Sequence, residues 1–536
     1  MTVLAGRPAR LSPRATGVVA LLAIVIAWWL LAATVLKPLG TIPTPGAVLA
    51  KLWTDGGPFY LLNVGVTALE ALQGYAIGVG LAVVIAVLVL LIPRLSGVAM
   101  QVAVISYCIP IVAIGPVIYL IVGAPLSGQP SGTAVVLAVL SVFFTTLVGS
   151  LLGLSSVDPR SLDLVDAYGG GKWSRLFRVQ IVSAVPSFIN ALKIAAPAAV
   201  LGAILGEYVG GVDRGLGPAL VSAQQSMDVE RTWALAIVAA ALAGAWFGLM
   251  SLIGALVTRL GWRSDTVAVT DPSDASKGAR GLLLSLGGGA LSLIVILLAW
   301  PASLWALDVS PFVGKTPLQV WEYLVTDSDA SANLSVLLGA LGQTLADAGL
   351  GFAAGLGGAI LVAALFTILP SAEHAFMPIA MLMRSVPLVA MAPVIILVFG
   401  RGTLTIAVMG GLIVFFPALV NLTFALRSTP AAMTDLAQVY GAGRAKELLL
   451  VRLPACVPAL FSSIRIAVPG AIAGALLAEW LATGQGIGYS IISAIGTSDN
   501  TQVWACVVLV TGASLALYGL ATLAERATYR RWGTAA

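Results

Sequence analysis

Charge is what this sequence has least of. Only 10% of its 536 residues are Asp, Glu, Lys or Arg, against ~25% in an average soluble domain. A water-facing surface cannot be clothed from so few, which excludes a soluble globular protein. Histidine is reduced to one residue, His374, which falls in a predicted loop and receives no role. One histidine and scattered acids are poor raw material for a clustered catalytic site, so a membrane-embedded enzyme is disfavoured. The three cysteines, Cys108, Cys456 and Cys506, lie in apolar runs and make neither a disulfide framework nor a metal-ligand spacing. They read as small packing residues, and no metal site is expected.

A phosphate cradle is missing as well. Gly314-Lys315-Thr316 imitates the end of a phosphate-binding loop, but the position five residues before Gly314 is Val309 where a glycine is required. Gly484-Gln485-Gly486-Ile487-Gly488 has no strand-helix unit around it and is no dinucleotide fingerprint; among 58 glycines such strings are expected. The chain is therefore not expected to hydrolyse ATP alone.

What is present is apolar bulk. Hydrophobic residues make up 59% of the chain and the mean hydropathy is +1.02. Stretches of ~20 apolar residues, enough to cross ~30 Å of hydrocarbon, recur from end to end. The first, Gly17 to Leu36, carries no charge, is longer than a signal-peptide core and reads as a retained helix. The formal charge of +5 does not point to nucleic acid, because basic residues are scattered between the apolar stretches.

The second half of the chain repeats the first. Thr67, Gly74, Gly78, Gly80, Pro93, Pro110, Pro116 and Gly123 recur 277 residues later as Thr344, Gly351, Gly355, Gly357, Pro370, Pro387, Pro393 and Gly400. Phe144, Asp163, Tyr168, Gly169, Gly171, Pro186, Pro197 and Glu207 recur 272 residues later as Phe416, Asp435, Tyr440, Gly441, Gly443, Pro458, Pro469 and Glu479. The change of offset fits a short insertion in the first copy near Pro125 to Ser131. The fold class is thus an all-α polytopic membrane protein of about 12 transmembrane helices, as two six-helix repeats. The first repeat spans 1–258, a polar linker 259–281, and the second repeat 282–536. The predicted spans lie near 17–36, 64–92, 98–123, 132–154, 183–209 and 233–258, and near 281–300, 341–369, 376–399, 403–426, 455–481 and 503–524. An even number of spans makes the repeats parallel, with a path expected on the pseudo-two-fold axis between them. With both termini inside, inner segments hold 19 Lys and Arg and outer loops six, as the positive-inside rule asks.

The largest inner loop of each copy, 158–182 and 430–454, falls between the fourth and fifth spans. Each reads as a short helix, a glycine break, a basic amphipathic helix and prolines at the next membrane entry. These loops resemble the EAA loop of permeases that serve binding-protein-dependent ABC importers. The pattern runs Asp163-Leu164-Val165, Gly169, Val179 and Pro186, then Asp435-Leu436-Ala437, Gly441, Val451, Pro454 and Pro458. Asp stands for the usual Glu in both, and Val182 replaces the first proline in the first copy. Thr44 to Val48, Arg384 to Ile395, Ile464 to Ala467, Leu477 to Trp480 and Gly484 to Ile491 are similar to the nitrate, sulfonate and taurine branch. The resemblance implies the type I importer permease fold, with both halves of the channel fused in one chain. It further implies that Asp163, Ala167, Gly169, Gly171, Asp435, Ala437, Gly441 and Gly443 serve ATPase coupling. The implied partners are a cytoplasmic ATPase dimer, which carries ATP and Mg, and an extracytoplasmic solute-binding protein. The implied place is a bacterial inner membrane, and the cargo a small, often anionic solute such as a sulfonate or nitrate, although relatives also handle pyrimidines.

Several charges fall inside predicted spans, where each needs a partner or a water-filled path. Lys193, Arg384 and Arg465 are candidates to face the axis and attract an anion, as Glu207, Glu479, Glu70 and Asp347 are for the path or its gates. The plainer reading is snorkelling at helix ends or bonds to neighbouring groups. Gly74 with Gly78, and Gly351 with Gly355, suit close helix contact. Trp28, Trp29, Trp300 and Trp305 read as interfacial anchors. A proton- or ion-coupled carrier of twelve helices is the nearest rival, with Glu70 or Asp347 as proton carrier, but it leaves two matched inner loops unexplained.

Overall fold

The computed structural model describes residues 13–92, 95–126, 129–155, 157, 159–259, 294–385 and 388–532. Most of the expected linker, together with Pro93, Arg94 and Pro387, lies outside them. Among the described residues all regular structure is helical, which is the only solution besides a closed barrel for backbone crossing lipid.

Among the described residues the α-helices fall into two sets in the same order. The first set is α1 (Pro13–Ala33), α2 (Pro45–Asp55), α3 (Gly57–Leu91), α4 (Ser96–Cys108) and α5 (Ile111–Val122). It continues with α6 (Gly132–Ser155), α7 (Pro159–Ala167), α8 (Lys172–Val209), α9 (Leu216–Gln225) and α10 (Val229–Arg259). The second set is α11 (Ile294–Ala306), α12 (Pro317–Trp321), α13 (Ala330–Ile368), α14 (Pro370–Ser385) and α15 (Leu388–Phe399). Then come α16 (Thr403–Arg427), α17 (Ala431–Val439), α18 (Arg444–Thr483), α19 (Gly486–Gly496) and α20 (Asn500–Trp532).

Among the described residues eight helices are long and apolar enough to span a membrane alone, or nine when a bent pair counts as one. The predicted third span is that pair. Instead of one helix over 98–123, α4 and α5 meet at 94°. Pro110 has no N–H to continue the ladder and pushes Ile109 into extended backbone (φ −70°, ψ 115°). The equivalent segment in the second half carries α14 and α15, and residues 386 and 387 between them lie outside the described residues. His374, expected in a loop, has its backbone inside α14; its side chain is outside the described residues.

The fifth spans also differ from expectation. No separate basic helix precedes them: α8 and α18 run on for 38 and 40 residues from the loop sequence into the span, ~57 and ~60 Å at 1.5 Å per residue. Wide π turns at Leu176–Gln180 and Leu448–Arg452 lie just before the prolines, so Pro186, Pro454 and Pro458 are absorbed without breaking the helix. Two short helices, α9 and α19, stand between the fifth and sixth spans and have no counterpart in the sequence-based spans.

Each half is built around its second, fourth and fifth spans. Gly74 lies against Ala138 and Val135 of α6, and Gly355 against Gly411 and Val414 of α16, the close approach that small residues four apart permit. The halves are joined by exchange of their third-span segments. α5 packs on α18, α19 and α20, and α15 packs on α8, α9 and α10, while α1 lies on α14. Trp28 and Trp300 are therefore not free anchors: Trp28 stacks on Trp233 at 5.5 Å and Trp300 on Trp504 at 5.0 Å. Trp29 and Trp305 remain exposed.

Candidate functional site

At one end of the molecule α7 and α17 stand clear of the bundle. α7 is followed by Gly169 at φ +76° and α17 by Gly441 at φ +73°, a left-handed conformation that costs other residues ~1–2 kcal/mol. The reversal sets each short helix across the foot of the long helix that follows. Asp163, Ala167, Gly169 and Gly171 are exposed, as are Asp435, Gly441 and Gly443, with Ala437 half-buried. Large apolar side chains point outward beside them. Tyr168 is 86% exposed and Tyr440 83%, with Leu164, Leu436 and Val439 nearby. Apolar surface of this kind on a short projecting helix fits a protein partner.

The two levers are braced differently. In the first half Arg175 pairs with Asp166 between α8 and α7. In the second half Glu447 stands where the first has Arg175, and it pairs with Arg452 at 2.7 Å. Arg452 also donates to the Leu426 carbonyl at 2.8 Å, and Arg427 pairs with Glu373 at 2.6 Å.

At the other end the buried acids converge on α9 and α19. Glu207 accepts from the Thr67 hydroxyl at 2.5 Å and from the Gly217 N–H at 2.6 Å, while Thr67 accepts from the Leu216 N–H at 2.9 Å. The second half repeats this bond for bond. Glu479 accepts from Thr344 at 3.0 Å and from the Gly488 N–H at 2.8 Å, and Thr344 accepts from the Ile487 N–H at 2.9 Å. A carboxyl at the N-terminus of a helix satisfies donors that the helix itself leaves unpaired and suits its dipole. Glu207 and Glu479 thus latch α9 and α19 to their own halves. A Cβ on Gly215 would stand 2.5 Å from the Glu207 carboxyl carbon, and one on Gly486 2.3 Å from that of Glu479. The glycine string set aside in the sequence is this cradle.

Glu70 is fully buried, accepts from the Ser131 N–H at 2.6 Å and meets Glu207. Asp347 is turned toward Gln343, which donates to it at 2.9 Å. Arg465 lies 3.1 Å from Glu525 of α20, with its guanidinium over the Tyr518 ring. Lys193 lies against Gly254 of α10. Both cations turn toward the sixth span of their own half, an arrangement that favours the plainer reading of these charges. The Arg384 side chain is outside the described residues. One cluster was not foreseen. Asp55 of α2 bonds Arg231 of α10 at 2.6 Å and the Tyr60 hydroxyl at 3.0 Å, and Lys51 bonds Asp228 at 2.9 Å. The Arg231 bond, joined by those from Tyr60 and the charge of Lys51, holds the Asp55 carboxyl below its ordinary range.

This architecture of paired bundles, a broken third span and projecting levers is that of a transport permease. The family of binding-protein-dependent transport system inner membrane components matches the chain twice, over residues 78–262 and 355–530, and the chain belongs to it. It is a multi-pass membrane protein and a permease component of an ABC importer, with two permease units in one polypeptide. It is similar to a probable ABC transporter permease of Haemophilus influenzae, 34% identical over 33% of this chain and 71% of the relative. A riboflavin transport permease of Chloroflexus aurantiacus is 35% identical over 30% of this chain and 59% of that protein. A taurine transport permease of Escherichia coli is 27% identical over 40% of this chain and 78% of that protein.

Proposed function

We propose that this permease imports a small polar solute, with sulfonate- or nitrate-like anions among the candidates, by alternating access between its two fused halves. Two copies of a separate cytoplasmic ATPase drive it, one docked on α7 and one on α17, and ATP with Mg is held there. A solute-binding protein delivers cargo at the opposite face. The chain itself carries out no ATP hydrolysis. Both termini and both levers lie on the cytoplasmic side of a bacterial inner membrane, in keeping with the basic residues of those segments.

One observation carries this reading: each projecting lever is joined, through a left-handed glycine, to a single helix that reaches the far end of the bundle. Closing the ATPase pair brings α7 and α17 together, and α8 and α18 carry that displacement past the interface between the halves. Asp163 and Asp435, exposed on the levers, then contact the ATPases. Lys193, Arg384 and Arg465 remain candidates for the solute path, and Glu70, Asp347, Glu207 and Glu479 act through the outer helices.

The test is solute uptake in cells depleted of ATP with the proton gradient intact. Uptake should stop. Continued uptake under those conditions means a secondary carrier, and the reading is wrong.

A further inference from the structure

One residue beyond each latch carboxyl stands an aromatic side chain, Tyr208 after Glu207 and Trp480 after Glu479. Adjacent residues on a helix point ~100° apart. The latch turns each Glu to its own half, and the next position meets the other half. There the two rings lie edge to face, with centroids 6.4 Å apart and planes at 74°. Each also touches the third-span segment of the opposite half. The Tyr208 hydroxyl donates to the Val389 carbonyl at 3.1 Å. Trp480 lines a closely packed crevice with Val112, Ala113 and Pro116. Val112 and Val389 are repeat equivalents, 277 apart.

We infer that Tyr208 and Trp480 form the seal that closes the path between the halves at the end remote from the levers, and that this seal parts in each transport cycle. The inference rests on the importer reading above and deepens it. A seal on a pseudo-two-fold axis needs one large apolar side chain from each half, meeting at a single place. These two meet that need, at the far ends of the helices that begin at the levers. Tyr208 lies 36 residues beyond Lys172, ~54 Å along one continuous helix. A push that has crossed the glycine turn to Lys172 or Arg444 is carried to the rings along a single helix in each half. The seal is also uneven, because Tyr208 must give up a polar bond to Val389 on opening.

The experiment uses the Tyr208→Cys/Trp480→Cys double variant, assembled with its ATPase in proteoliposomes, with the singly substituted chains as controls. Without nucleotide, a short bis-methanethiosulfonate crosslinker should join the two cysteines within one chain, stop uptake, and be reversed by reductant. Trapping with ATP and vanadate before the crosslinker should prevent the link. A link that forms equally in the trapped state, one that leaves uptake unchanged, or no link without nucleotide overturns the seal. Untreated complex that takes up solute without ATP overturns the importer reading instead. A second variant, Tyr208→Phe, keeps the ring and removes only the bond to Val389. Its ATPase activity without binding protein should rise about five-fold, the effect of one buried hydrogen bond on the closed state. Unchanged basal activity removes that bond from the seal.

Discussion

Gly486 is held at φ +79° with the Glu479 carboxyl where a side chain would begin. Gly486→Ala combines backbone strain of ~1–3 kcal/mol with displacement of a buried, bonded carboxylate. The variant should unfold several degrees below the parent in detergent, whereas Gly496→Ala, with open space around it, should not. Equal melting temperatures would show that the latch is not as tight as drawn. Asp55 supplies a pH signature. Its pKa is lowered in the folded state, first by the Arg231 bond, so its contribution is present at neutral pH. That contribution is lost as pH falls below the unfolded value of ~3.9 and through the depressed folded one. Asp55→Asn should lower thermal stability at pH 7, and the difference from the parent should shrink in strong acid. A difference independent of pH would remove the ion pair as its cause.

The levers show what an element can be asked to do. Gly441→Ala leaves the α17 surface intact but strains the reversal that aims it. Binding-protein-stimulated ATPase activity should fall several-fold while the membrane yield is unchanged; full stimulation would mean that the turn geometry does not matter. The glycines of this turn were legible in the sequence because both copies carry them at one offset, as were the levers and most of the spans. Other elements were hidden for physical reasons. α4 and α5 read as one apolar run because hydropathy is blind to direction. α9 and α19 are too short and too weakly patterned to stand alone, since their N-terminal donors are satisfied by Glu207 and Glu479 from another helix. The repeat of Glu followed by Gly-x-Gly in both copies was the signal available. Trp28 and Trp300 looked like lipid anchors because their stacking partners, Trp233 and Trp504, lie more than 200 residues away in sequence. Asp55 and Arg231 were likewise unreadable as a pair.

At the scale of the molecule, fusion frees the two halves to diverge while the pseudo-two-fold is kept. The latches share three bonds, whereas the levers differ: Arg175 with Asp166 on one side faces Glu447 with Arg452 on the other. Symmetry is kept at the three latch bonds and relaxed at the levers. The relatives in which a single unit matches most of the protein leave this chain with both halves of a channel. Native mass spectrometry of the assembled complex, extracted with its ATPase, tests this most directly. The predicted composition is one permease chain with two ATPase subunits; two permease chains per ATPase pair, or one chain with a single ATPase, would contradict it.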